Sequence, residues 1–103
     1  MIKITEQNYL DTIKEGKSVI FATTKFCGHC MALKPIFNLV TDHLTDHKCG
    51  MVDLQDEEGL IDVLGVTNIP VVIVYKDGKE LGRTLSVDSE VSLEKWIKDL
   101  TNK

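Results

Sequence analysis

Two cysteines spaced by two residues, in Cys27-Gly28-His29-Cys30, have the clearest capacity for chemistry in this 103-residue sequence. Thiols at that spacing can close a disulfide within one helical turn. The pair follows a short apolar run, Val19-Ile20-Phe21-Ala22, and precedes a segment where Leu33, Ile36, Phe37, Val40 and Leu44 recur at helical spacing. This strand–turn–helix context puts Cys27 at a helix N-terminus, where unpaired amides and the helix dipole stabilise a thiolate. Cys27 is expected to be the nucleophile. Cys30, one turn inside, lacks that help and is expected to be the buried resolving thiol. A cationic His29 between them favours the Cys27 thiolate and so disfavours the disulfide, which makes the pair a better oxidant.

The competing chemistry is half of a zinc site, but a closed site needs four ligands and the sequence has no second cysteine pair. His43 and His47 fall at the far end of the same predicted helix, roughly 25 Å away at ~1.5 Å per residue. They are read as solvated helix residues and not as ligands. Cys49 is read as a small core side chain. No metal and no cofactor is expected.

The elements that position the pair follow from periodicity and punctuation. Lys3-Ile4 suggests a short first strand. Thr5 to Glu15, with Leu10 and Ile13 on one face and Gly16 as the stop, predicts a short helix. Ser18 to Thr24 predicts a strand buried on both faces. The helix after Cys27 is expected to run to about Asp46, with a kink at Pro35. Cys49 to Leu54 predicts a strand, and Glu57 to Leu64, closed by Gly65, a helix. Val71 to Tyr75 is the strongest strand signal, and Asp77-Gly78 predicts a two-residue hairpin turn into a return strand near Leu81 to Leu85. Ser89 can cap a last helix with Leu93, Trp96, Ile97 and Leu100 on one face. The order β-α-β-α-β-α-β-β-α predicts an α/β fold, with a mixed five-stranded sheet flanked by four helices.

Length and composition exclude several classes. One domain, 1–103, is expected from the length. A net charge of -4 argues against a nucleic-acid module built on positive charge. Apolar runs are too short for a membrane span. The absence of a basic-then-apolar N-terminal stretch leads us to expect a cytoplasmic, reducing compartment.

Together these features resemble the thioredoxin family over essentially the whole chain. Cys27-Gly28-His29-Cys30 is followed five residues later by Pro35, Ile69-Pro70 stands before the Val71 strand, and the Asp77-Gly78 hairpin and Trp96 helix come in the family's order. The resemblance implies a cis Ile69-Pro70 bond beside the cysteines. It implies substrate binding by Phe26, Gly28, Asn68, Ile69 and Pro70, with the backbone of Ile69 pairing to an extended peptide. It further implies reduction of disulfide-containing protein substrates by a monomer recharged by a flavin-containing thioredoxin reductase. Gly28-His29 resembles protein disulfide isomerase instead. A disulfide oxidase or isomerase, or a docking subunit without redox turnover, are therefore the alternatives.

Four positions depart from the family pattern. Phe26 replaces a tryptophan, and Ser86 replaces a late glycine. Phe21 stands where the family carries a buried acid, and Met51 where it carries the acid's lysine partner. Losing both charges together is coherent, because one alone would be buried unpaired. It leaves water or the leaving thiolate to take the Cys30 proton.

Overall fold

The apolar runs of the sequence become the middle of a five-stranded sheet. The computed structural model describes residues 1–102. Its elements are β1 (Ile2–Lys3), α1 (Tyr9–Ile13), β2 (Lys17–Thr23), α2 (Gly28–His43), β3 (Lys48–Asp53), α3 (Gly59–Leu64), β4 (Val71–Lys76), β5 (Lys79–Thr84) and α4 (Glu90–Thr101). The strand order is β1-β3-β2-β4-β5. β3 runs parallel to both β1 and β2, whereas β4 runs antiparallel to β2 and to β5.

The reversal at β4 shows in where the connection through α3 lands. β3 ends at Asp53 beside Thr23, and β4 starts at Val71 beside Ala22, so the chain re-enters the sheet at the end it left.

Alternation along the strands divides the core into two layers. Ile20, Ala22, Val52, Val71, Ile73 and Tyr75 face α1 and α3 with Ile13, Leu60 and Leu64. Val19, Phe21, Cys49, Val72 and Val74 face α2 and α4 with Leu33, Phe37, Val40, Leu93 and Ile97. Ile4 is buried just beyond β1, with its N–H donating to the Met51 carbonyl at 2.9 Å. Gly50 makes room for it, since a Cβ there would lie 2.5 Å from the Ile4 side chain.

Local signals read from the sequence mostly hold. Asp77 and Gly78 both have positive φ, 51° and 84°, as a tight two-residue hairpin requires. Ser89 caps α4 by accepting the Ser92 N–H at 3.1 Å. α2 continues through Pro35 without interruption.

Other elements differ. α1 is only five residues long, because Thr5 and Asn8 spend their side chains on each other's amides in a turn before it. Leu10, expected to face inward with Ile13, is 59% exposed, and Thr12 takes the inward place. α2 stops at His43, three residues before the expected end at Asp46. Leu85 lies past the end of β5 and is exposed. Among the described residues, no helix is long and apolar enough to cross a membrane.

Candidate active site

Three loops meet at one end of the sheet. Ala22 in β2 is the register partner of Val71 in β4, and Thr23 is the partner of Asp53 in β3. The segment 24–27 after β2, the segment 54–58 after β3 and the segment 65–70 before β4 therefore leave the sheet side by side. The first carries Cys27, and the third carries Asn68, Ile69 and Pro70.

Cys27 is the N-cap of α2, with extended backbone (φ -118°, ψ 105°). Its sulfur accepts the backbone N–H of Cys30 at 3.1 Å. The sulfurs of Cys27 and Cys30 are joined as a disulfide, with Cα atoms 5.2 Å apart. Exposure separates the two cysteines: Cys27 is half-buried and Cys30 has 0% exposure. An amide aimed at Cys27 Sγ and the positive end of a sixteen-residue helix both favour a thiolate there once the bond is reduced.

Around the pair, Gly28 and His29 are exposed and Phe26 is 91% exposed. Met31 adds a second exposed apolar side chain in the first turn of α2. In the facing loop Asn68 is exposed, Ile69 half-buried and Pro70 buried, and the Ile69-Pro70 bond is cis. Thr67, Asn68 and Ile69 make no backbone hydrogen bond among the described residues. Their amides and carbonyls are thus free to meet an extended chain.

β2, which leads into Cys27, is apolar at Phe21. Phe21 is fully buried and stacks on Phe37 of α2, with ring centroids 4.3 Å apart and planes at 22°. Met51 is its register partner and packs against the same layer. Cys49 is buried, and burial pushes its thiol pKa up.

Two sequence expectations need correction. His47 lies beyond the end of α2, and its side chain is only 2% exposed. Its ring is held between Asp46 Oδ1 at 2.8 Å and Thr101 Oγ1 at 3.0 Å, tying the loop before β3 to the end of α4. His43 does remain open to solvent, against Glu94 at 2.8 Å. Among the described residues, no group of three or more His, Cys, Asp or Glu is placed to hold a metal ion.

The thioredoxin family model matches residues 1–99. The chain belongs to the thioredoxin family. It is 30% identical to thioredoxin of Chlamydia muridarum over 98 residues, covering 94% of this chain and 96% of that one. It is 29% identical to thioredoxin of Chlamydia trachomatis over 94 residues, covering 91% and 92% of the two chains. The fold superimposes on mitochondrial thioredoxin 3 of Saccharomyces cerevisiae with a TM-score of 0.86, at 26% identity and covering 96% and 94% of the two chains. With the Cys-x-x-Cys disulfide at a helix start, this thioredoxin-family protein is a thiol–disulfide oxidoreductase. Its family acts on disulfide substrates and receives electrons from thioredoxin reductase.

Sequence reasoning missed the groups that hold the two loops. The amide of Lys25 donates to Gln55 Oε1 at 3.0 Å, and its ammonium reaches Asp56 at 2.6 Å, so the segment before Cys27 is tied to the segment after β3. Arg83 of β5 donates to the carbonyls of Leu64 and Gly65, at the start of the 65–70 loop. Neither set has a spacing signal, because its members are distant in sequence.

Proposed function

We propose that this protein reduces protein disulfides, with Cys27 as the nucleophile and Cys30 as the resolving thiol. The carrying observation is the contrast between the half-buried Cys27 at the helix N-cap and the fully buried Cys30 behind it. The Cys27 thiolate attacks one sulfur of the substrate disulfide, and the other sulfur leaves as a thiolate. Cys30 then loses its proton and attacks Cys27 Sγ, which releases the second substrate sulfur. Two electrons pass to the substrate, which ends as two thiols, and the protein ends as the Cys27–Cys30 disulfide.

No carboxylate stands at position 21 to accept the Cys30 proton. The first leaving thiolate, or water, takes it. His29 lies exposed beside Cys27 and, when cationic, stabilises the reduced form, which raises the reduction potential. Phe26, Gly28, Asn68, Ile69 and Pro70 form the substrate surface. The unpaired backbone of Ile69 supports pairing with an extended peptide around the target cysteine. The oxidised protein is recharged by a flavin-containing thioredoxin reductase, and it works as a single-domain monomer in a reducing, cytoplasmic setting.

The test is reduction of insulin with NADPH and a flavin-containing thioredoxin reductase. Turnover by the wild type and its loss in Cys27→Ser support the reading. Full turnover by a Cys27→Ser/Cys30→Ser variant, or none by the wild type under a strong reductant, sinks it.

A further inference from the structure

The loop that carries Ile69 has few restraints of its own. Thr67, Asn68 and Ile69 form no backbone hydrogen bonds among the described residues, and a cleft of about 250 Å3 lined by Val66, Thr67, Asn68, Val71 and Arg83 opens beside them. Val66 and Ile69 pack against the core from within the loop, and its backbone is held at its two ends. At one end Val71 enters the β2–β4 ladder opposite Ala22. At the other, α3 terminates in Gly65, whose left-handed backbone (φ 64°) turns the chain out of the helix.

Arg83 grips that second end. Its Nη2 donates to the Leu64 carbonyl at 2.8 Å and its Nη1 to the Gly65 carbonyl at 3.0 Å. These are last-turn carbonyls that a helix leaves without intrahelical partners. The same guanidinium donates from Nε and Nη2 to both carboxylate oxygens of Glu80, at 2.8 and 2.7 Å. Glu80 lies on the same strand, so it orients the fork before any substrate arrives. Arg83 is itself the register partner of Ile73 in β4. One planar side chain thus couples the hairpin to the base of the loop, which a point-charge ammonium cannot do.

Four of the fork's five N–H donors go to two carbonyls and a carboxylate, and the Glu80 carboxylate neutralises its charge, so it has no role as an anion site. Its remaining consequence is geometric. We propose that Arg83 is a positioning residue for substrate. It fixes the end of α3, and through it the 65–69 segment, so that the Ile69 backbone stands ready to pair with a peptide whose disulfide meets Cys27. The proposal rests on the substrate contact assigned above to Ile69.

The experiment compares a peptide disulfide with a small one. Insulin must pair its backbone with the loop, while 5,5′-dithiobis(2-nitrobenzoate) has no backbone to pair. In Arg83→Met the KM for insulin is expected to rise roughly three- to tenfold at nearly constant kcat. The rate with the aryl disulfide and the reduction potential of the Cys27–Cys30 pair are expected to stay at wild-type values. Arg83→Lys, which keeps one cation but not the fork, is expected to recover part of the KM change and provides a second fold-preserving variant. Wild-type KM for insulin in both variants overturns the proposal. So does an equal loss of activity on both substrates, which marks a general structural role. Failure of the wild type to reduce insulin is a separate result, and it counts against the functional reading itself.

Discussion

Phe21 and Met51 are register partners on neighbouring parallel strands, and both pack into the layer between the sheet and α2. In the family pattern these two positions carry an acid and a lysine. Here an aromatic ring stacked on Phe37 takes the place of the acid, and the charge pair is absent as a unit.

Core stability should follow from that relationship. Phe21→Ala removes a fully buried ring and is expected to cost about 3–5 kcal/mol, as for other buried aromatics. Phe21→Asp leaves a buried unpaired carboxylate as well and is expected to cost more. Adding Met51→Lys should restore part of the loss, with a coupling of about 1 kcal/mol or more. Urea denaturation of the four proteins in this cycle measures the coupling, and strict additivity of the two substitutions argues against pairing between the sites.

Thiol reactivity should rank by position. In the reduced protein at neutral pH, iodoacetamide is expected to modify Cys27 at least about tenfold faster than Cys30 or Cys49. Cys30 is fully buried, and burial raises the Cys49 thiol pKa. Peptide mass spectrometry after timed labelling gives the order. Rapid labelling of Cys49 in the folded protein contradicts its place in the core.

Redox poise should depend on His29. The residue occupies the second position of α2, where a proline is tolerated. His29→Pro removes the side chain proposed to stabilise the Cys27 thiolate. The potential is expected to become more negative, by roughly 30 mV for each ~1.4 kcal/mol of lost stabilisation. Equilibration with glutathione buffers measures it. An unchanged potential leaves the helix N-terminus as the only activating element.

Acid stability should involve Asp46. Hydrogen bonds from His47 and then Lys17 hold its carboxyl below the usual carboxylate range. A depressed carboxyl stabilises the fold above its unfolded pKa, about 3.9, and that contribution fades as pH falls through the lower folded value. Asp46→Asn is therefore expected to be less stable than wild type at pH 7, with the gap closing below about pH 4. Urea midpoints measured from pH 7 down to pH 3 check this. A gap independent of pH excludes an ionic contribution.

The features legible in the sequence were local ones. Cys27 at a helix start, the Asp77-Gly78 turn and the Ser89 cap each depend on residues within a few positions. The buried strands announced themselves by unbroken apolar runs. What stayed hidden depends on partners far along the chain. His47 reads as a polar residue extending a helix, until Thr101 and Asp46 are found on either side of its ring. Leu10 satisfies the helical period, yet α1 turns Thr12 and Ile13 inward instead. Arg83 is an ordinary charge on an amphipathic strand until α3 ends beside it. The segments tied by Lys25 and Gln55 meet only because β2 and β3 are adjacent.

The assignment of Cys27 as nucleophile is tested most directly by trapping the mixed disulfide. Cys30→Ser leaves Cys27 without its resolving partner, so attack on a peptide disulfide stalls at the covalent adduct. Mass spectrometry of the reduced variant mixed with insulin is predicted to show a substrate chain joined to Cys27, and the matching Cys27→Ser variant is predicted to show none. An adduct formed through Cys30 in Cys27→Ser, with no adduct in Cys30→Ser, would reverse the roles and contradict the account.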